Sequence, residues 1–149
     1  MKRIACSPNP DHVFAKQAAL DLTHFDDSFL ADATHLILDR DTKFTDDFKS
    51  ILAEGDVLPI VLPARSPNLN AFAERFVRSI KSECLSKMIF FGQASLDRAI
   101  RQFVEHYHAE RNHQGVGNKL ITEATMPVEG EVVRDERLGG LLSFYRRAA

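Results

Sequence analysis

Asp39 and Glu74 are the two side chains in this 149-residue chain whose types and spacing best fit a chemical role. They stand 35 positions apart, Asp39 after the short apolar run 35–38 and Glu74 near the start of a long periodic segment. Phosphoryl transfer commonly uses two divalent metals roughly 4 Å apart, which activate the attacking oxygen and steady the leaving one. Mg²⁺ takes oxygen ligands and keeps several waters, so carboxylates that converge from different elements suit it. Alone, Asp39 would more often be a turn residue and Glu74 a solvated helix residue. Their spacing and their flanking residues together reverse that and favour a metal site.

The elements that must position Asp39 are two short strands with a helix between them. The run 35–38 has strand length, and the charged cluster 39–41 after it marks the strand's carboxyl end. Thr45 is expected to cap a helix over 46–54, and Gly55 to end it. A second strand is expected over 57–62, at an edge because Pro59 removes a ladder donor.

Glu74 is expected on the strongest helix of the chain, over about 71–88. Its apolar stripe has strict i+4 steps and is expected to pack on the sheet; it consists of Phe72, Phe76, Ile80, Cys84 and Met88. Arg78 and Lys81 share another face with Glu74, so a carboxylate and two cations follow one line. A further helix is expected over 95–108 with Ser95 as its N-cap.

These elements predict an α/β fold, a sheet with helices packed on it. The segment 1–5 resembles the end of a strand, and Asp11 is expected to cap a helix that continues to about Thr23. Residues 63–70 are expected to form a loop. No hairpin is expected in residues 126–149, and no long helix or strand is expected there.

Composition indicates one globular domain, with 44% hydrophobic and 27% charged residues. No run approaches the roughly 18 apolar residues that a membrane span needs, and no signal peptide is evident. A cytoplasmic protein without a membrane partner is therefore expected. Cys6 and Cys84 lack the paired spacing of a zinc site and are expected to be small buried side chains.

The charge is unevenly distributed along the chain. Residues 1–59 carry 6 Lys+Arg against 11 Asp+Glu, residues 60–114 carry 8 against 5, and residues 115–149 carry 5 against 5. A phosphate backbone would be attracted to the middle segment, and a divalent metal to the first. Ordinary solvated faces explain such asymmetry equally well.

Three segments carry a resemblance to a known family: HLILDRDTKFTDDF (35–48), VLPIVLPARSPNLNAFAERFVRSIKSECL (57–85) and FVEHYHAERNHQGVGNKL (103–120). They resemble the integrase core of bacterial insertion-sequence transposases, relatives of retroviral integrases. That family has its second catalytic Asp in a D-R-x-x-x-F context and its Glu in N-x-x-A-E, which Asp39 and Glu74 match. His108 and Asn112 depart from the Asn and Pro usual in the family's tail.

The resemblance implies a ribonuclease-H-like mixed sheet flanked by helices, with residues 1–120 as a partial catalytic core and 121–149 as a C-terminal extension. It implies catalysis of DNA cleavage and strand transfer with Mg²⁺ or Mn²⁺, DNA as partner, a homo-oligomer and a bacterial, nucleoid-associated location. Asp39 and Glu74 would be the catalytic and metal-binding residues. The cations nearby would contact DNA: Lys43, Arg65, Arg78 and Lys81.

The family's first catalytic Asp lies in an opening strand that has no counterpart here, since no Asp precedes Asp11. With two of three carboxylates, a transposase fragment that is inactive by itself is expected. The alternative is a noncatalytic DNA-binding or self-associating module. A ribonuclease-H-like nuclease of another type ranks lowest, because it needs a late acidic residue and Glu105, Glu110 and Glu123 have no matching context. A zinc site at the histidines 106, 108 and 113 is also disfavoured.

Overall fold

The computed structural model describes residues 7, 10–24, 29–64, 66–122 and 129–148. The chain divides into two compact units, residues 1–74 and 75–149, and the boundary falls inside one helix. Each unit has its own cluster of buried hydrophobic side chains.

The first unit contains two helices that begin at the predicted caps. Helix α1 is His12–Thr23, and the Phe14 N–H donates to the Asp11 carboxylate at 2.9 Å. Helix α2 is Asp46–Glu54, and the Thr45 hydroxyl accepts the Phe48 N–H at 3.4 Å. Both helices are therefore started by side chains that satisfy an otherwise unpaired backbone donor.

Helix α2 connects the two strands of a parallel pair, β1 (His35–Leu38) and β2 (Leu58–Val61). Parallel neighbours need such a crossover, so β1, α2 and β2 form one βαβ unit. Gly55 ends α2 as predicted, and a Cβ at that position would lie only 2.7 Å from the Thr23 Cβ. The absence of a side chain thus lets the end of α1 approach the turn into β2.

The core of the first unit lies between the two helices and one side of the strand pair. Leu52 and Val57 are almost completely buried, and Ala19 of α1 is fully enclosed. The remaining buried members come from both helices, β1 and a turn: Ala15, Leu30, Leu38, Phe48 and Ile51. Packing of this cluster fixes the carboxyl end of β1, where Asp39 follows.

The second unit contains most of α3 (Ala71–Glu83), the helix that crosses the boundary, and all of α4 (Gln93–Ala109). The 3₁₀ helix Pro67–Asn70 precedes α3 directly, and two more follow, Leu85–Lys87 and Gln114–Val116. Phe76 of α3 contacts two rings of α4, with its centroid 6.1 Å from Phe103 and 5.1 Å from Tyr107. Phe76 and Ile80 of α3 therefore join α4 in one buried cluster.

The predicted bounds of both helices were wrong at one end. α3 ends at Glu83, five residues early, where the Ser82 hydroxyl donates to the backbone carbonyl of Arg78. Such serine bonds compete with helical geometry. The start of α4 is Gln93 instead of Ser95, because the Ser95 hydroxyl donates back to the Gly92 carbonyl instead of accepting an N–H. Phe72, expected in the buried stripe, is 82% exposed.

The expectation of no hairpin near the C-terminus was wrong. Strands β3 (Val132–Arg137) and β4 (Leu142–Arg147) form an antiparallel pair. The connecting turn has positive φ at Leu138, Gly139 and Gly140. Two consecutive glycines between alternating runs are a hairpin signal, because glycine adopts positive φ at little cost.

The hairpin is fastened to α4 by a polar cluster. Arg137 donates from Nε and Nη2 to the Glu110 carboxylate and from Nη1 to Glu105. The Glu110 carboxylate also lies 3.1 Å from Nδ1 of the buried His106. On the apolar side, Leu142 of β4 joins the α4 cluster. The hairpin and α4 are therefore one packed body.

The described residues thus form a mixed α/β fold with helices and two small sheets, which confirms the predicted class. The ribonuclease-H-like arrangement stays a prediction. Cys84 is buried as expected, and burial raises the pKa of its thiol; Cys6 lies outside the described residues. Across the described helices, none combines the length and apolar content required to cross a bilayer.

Candidate functional site

Asp39 directly follows β1, at the carboxyl end of the strand as predicted. Its side chain is exposed, and one carboxylate oxygen accepts the Asp41 N–H at 3.1 Å. The Arg40 side chain donates to the Leu62 carbonyl at 3.2 Å, which connects this turn to the end of β2. The Asp39 carboxylate is therefore held by its own turn and keeps lone pairs directed to solvent.

Lys43 lies in the same turn and is neutralised locally. Its ammonium group forms an ion pair with Asp41 at 2.8 Å, and its backbone N–H donates to the same carboxylate. The side-chain hydrogen bond from Lys43, followed by the backbone bond, lowers the pKa of the Asp41 carboxyl below its ordinary value. Asp41 therefore stays ionised, and its ion pair with Lys43 makes the ammonium group less available to a phosphate group.

Glu74 lies in the first turn of α3 and is exposed. A negative charge at this end of a helix is favoured by the helix dipole. Among the described residues, Glu74 has no ion-pair partner. Its carboxylate is thus available to a cation from solution.

Arg78 and Lys81 are exposed one and two turns further along the same helix. Glu83, on the same helix, pairs with Arg111 and not with these two cations. Neither cation has an ion-pair partner in the part of the chain that the structure describes. Arg65, the fourth cation predicted to bind DNA, lies outside the described residues.

The donor set fits Mg²⁺ or Mn²⁺ in kind, since both carboxylates present exposed oxygen atoms. The described ranges contain no group of three or more His, Cys, Asp or Glu residues that could hold a metal ion. The convergence of Asp39 and Glu74 on one metal stays a prediction.

The histidines of the middle segment have structural contacts instead. His113 Nε2 lies 2.6 Å from the Tyr107 carbonyl, which requires that nitrogen to carry the proton and donate it. The His108 ring stacks on Phe76. Burial, and secondarily the charge of His113, lowers the pKa of His108 below its ordinary value. His108 is therefore neutral near pH 7 and contributes no permanent charge for DNA.

One group of side chains was not singled out from the sequence. Arg75, Arg111, Asn112, Gln114 and Gly115 line an open groove of about 600 Å³ in the second unit. Apart from Gly115 these residues lie in the basic middle segment, and all of them lie in two of the segments that carry the family resemblance, but they are up to 40 positions apart, and neither signal indicates that they line one groove.

Residues 56–120 match the family model of the integrase core domain. The matched range includes β2, α3 and α4, and therefore Glu74 and the cations Arg78 and Lys81. No curated protein and no solved structure matches the chain. The family match supports an integrase- or transposase-related role.

Proposed function

We propose that this chain acts in DNA transposition or integration, as part of the core of a Mg²⁺-dependent transposase that cuts and joins DNA. The observation that carries the proposal is the integrase-core match over residues 56–120, within which Glu74 is exposed on the same helix as two cations. Asp39, outside the matched range, is proposed as the second ligand because it is exposed directly after β1.

In the proposed site, Asp39 and Glu74 would hold a divalent metal, which supplies Lewis-acid activation of a phosphodiester and of the attacking oxygen. The protein's own contribution is binding and orientation. Arg78 and Lys81 would bind backbone phosphates beside Glu74, and the Asp39–Asp41 hydrogen bond would orient the Asp39 carboxylate. The βαβ unit of β1, α2 and β2 is proposed to be part of a ribonuclease-H-like sheet.

The metal role is tested by titrating the chain with Mn²⁺ and measuring free Mn²⁺ by electron paramagnetic resonance. We expect Asp39→Asn and Glu74→Gln each to lower the Mn²⁺ affinity by about tenfold or more, because each removes a ligand oxygen charge. Metal binding is the primary readout because no third ligand is found among the described residues.

Asp32→Asn and Glu54→Gln are matched controls, since both remove an exposed carboxylate charge outside the proposed site. If they weaken Mn²⁺ binding as much as the two site variants, the metal is held by general charge and the site is refuted. We also propose that the chain alone does not transfer DNA strands; transfer that either site variant abolishes would contradict this.

The phosphate role of α3 is tested by DNA binding as a function of salt. Each cation that contacts a phosphate releases counterions, so Arg78→Ala and Lys81→Ala are each expected to reduce the slope of log affinity against log salt by about 0.9. Fluorescence anisotropy with a labelled duplex measures the slope. Arg134→Ala is the control, because Arg134 pairs with Glu136 on the hairpin. An unchanged slope for both α3 variants would rule out these contacts.

The alternative is a noncatalytic DNA-binding or self-associating module. It is favoured by the side chains of the β1–β2 pair, where Ile37, Leu58 and Ile60 are 49%, 57% and 41% exposed. Parallel strands are ordinarily covered on both faces, so this apolar surface suits a second copy of the chain. Sedimentation that shows a dimer, together with DNA binding unaffected by metal, would favour this function over the first.

A further inference from the structure

The groove lined by Arg75, Arg111, Asn112, Gln114 and Gly115 lies wholly within the second unit. Its lining contains two guanidinium groups, two side-chain amides and no carboxylate. Arginine and amide groups are hydrogen-bond donors, and each guanidinium carries five N–H groups in a planar fork. The lining is therefore complementary to an anion with several acceptor oxygens.

Arg75 supplies the charge that is not compensated. Its side chain is exposed on α3, and within the described part of the chain it forms no ion pair. Its Nη1 lies 3.0 Å from the position that a Cβ on Gly115 would occupy. The missing side chain of Gly115 thus leaves the space in which the Arg75 guanidinium borders the groove.

Arg111 is held in place by three contacts, two of its side chain and one of its backbone. Its Nη1 donates to Glu83, its guanidinium carbon lies 5.6 Å from the centroid of the Tyr107 ring, and its backbone N–H donates to the His106 carbonyl. The ion pair with Glu83 uses one part of the fork and leaves other N–H groups for a ligand. A preorganised guanidinium loses less freedom when it binds a ligand.

We propose that this groove binds a phosphate group, with the Arg75 and Arg111 guanidinium groups as the charged donors. Arginine forks match the oxygen spacing of phosphate, and charge-assisted hydrogen bonds of this kind are the stronger ones. The Asn112 and Gln114 amides supply further donors. That the phosphate belongs to a DNA backbone rests on the proposed function, whereas binding of a phosphate group does not. The groove would then add a contact separate from Arg78 and Lys81.

The first arm of the test titrates the full chain with inorganic phosphate at constant ionic strength and follows ¹H–¹⁵N NMR signals. We expect saturable shifts of the Gly115 backbone amide and the Asn112 and Gln114 side-chain amides. Arg75→Ala should abolish these shifts, and Arg75→Lys should weaken them because an ammonium group lacks the planar fork. Arg98→Ala is the control, since Arg98 is exposed on α4 outside the groove.

The second arm measures duplex DNA binding at several salt concentrations. Arg75→Ala is expected to weaken binding by about tenfold, the effect of losing one charge-assisted contact, and to lower the salt slope by about 0.9. Gly115→Val, which fills the space beside Arg75 without removing charge, should weaken binding too. Thermal unfolding of each variant verifies that the fold persists.

The two arms give distinguishable failures. Phosphate shifts without any effect of Arg75→Ala on DNA affinity would establish a free-phosphate site and overturn the DNA source. No phosphate shifts and unchanged DNA affinity would overturn the groove as a site while leaving the proposed function intact. Absence of DNA binding by the wild-type chain would refute the proposed function, and the phosphate arm alone then decides the groove.

Discussion

Replacing Phe103 by alanine is expected to lower the free energy of unfolding by about 3–5 kcal/mol, the range for large aromatic truncations in a packed core. Phe103 is 0% exposed in α4, and its ring stacks on Tyr107 and meets Phe76 edge-on. Truncation would therefore remove dispersion contacts and leave a cavity between α3 and α4. Urea denaturation followed by circular dichroism measures the change.

Phe91→Ala is the matched control, because the Phe91 side chain is 86% exposed in the segment before α4. A surface substitution of this kind should change the unfolding free energy by no more than about 0.5 kcal/mol. Equal losses for the two variants would mean that Phe103 is not at the centre of the second core.

Replacing Arg137 by alanine is expected to cost about 2 kcal/mol of unfolding free energy, because a partly buried carboxylate would lose its charged partner. The Glu110 side chain is only 10% exposed, and Arg137 is its main donor. The hydrogen bonds that Arg137 donates to the Glu110 carboxylate raise the pKa of Arg137. Urea denaturation again provides the measurement.

Arg134→Ala on the same strand is the control for Arg137. Arg134 pairs with Glu136, and both side chains are about half exposed. Exposed pairs of this type contribute about 0–1 kcal/mol. If Arg134→Ala destabilises the protein as much as Arg137→Ala, the attachment of the hairpin to α4 does not depend on the Glu110 cluster.

Much of the first unit could be predicted from local sequence. Thr45 and Gly55 determine the two ends of α2 through contacts within a few residues, and the strand over the short apolar run 35–38 ends where the charged residues begin. Interactions of this range are legible in a sequence, since the partners are neighbours in the chain. The exposed position of Asp39 after β1 followed from the same reasoning.

Helix α3 and the second unit were harder to predict, because distant contacts determine them. Phe72 continues the i+4 stripe but is exposed, since the buried cluster around α4 includes Phe76 and not the preceding turn. The hairpin was missed although Gly139 and Gly140 signalled its turn. Its strands contain many charged residues, which are untypical of a buried sheet. The hairpin is attached to α4 through Arg137, whose partner Glu110 lies 27 positions earlier in the chain.

The candidate site shows the same division. Glu74, Arg78 and Lys81 share one helix, so their common exposure follows from helical spacing. The groove beside Arg75 depends on Gly115 approaching from beyond α4, which no local pattern encodes.

The attachment of the hairpin to α4 also bears on where the chain can be shortened. The integrase-core match stops at residue 120, but the Glu110 carboxylate and the buried His106 ring meet Arg137 and Phe144, respectively, from beyond that point. A segment that ends at residue 120 would leave the Glu105 and Glu110 carboxylates without Arg137. It would also expose the apolar side chains of α4 on which Leu142 packs. A shortened chain that keeps these contacts of the hairpin with α4 must extend through β4.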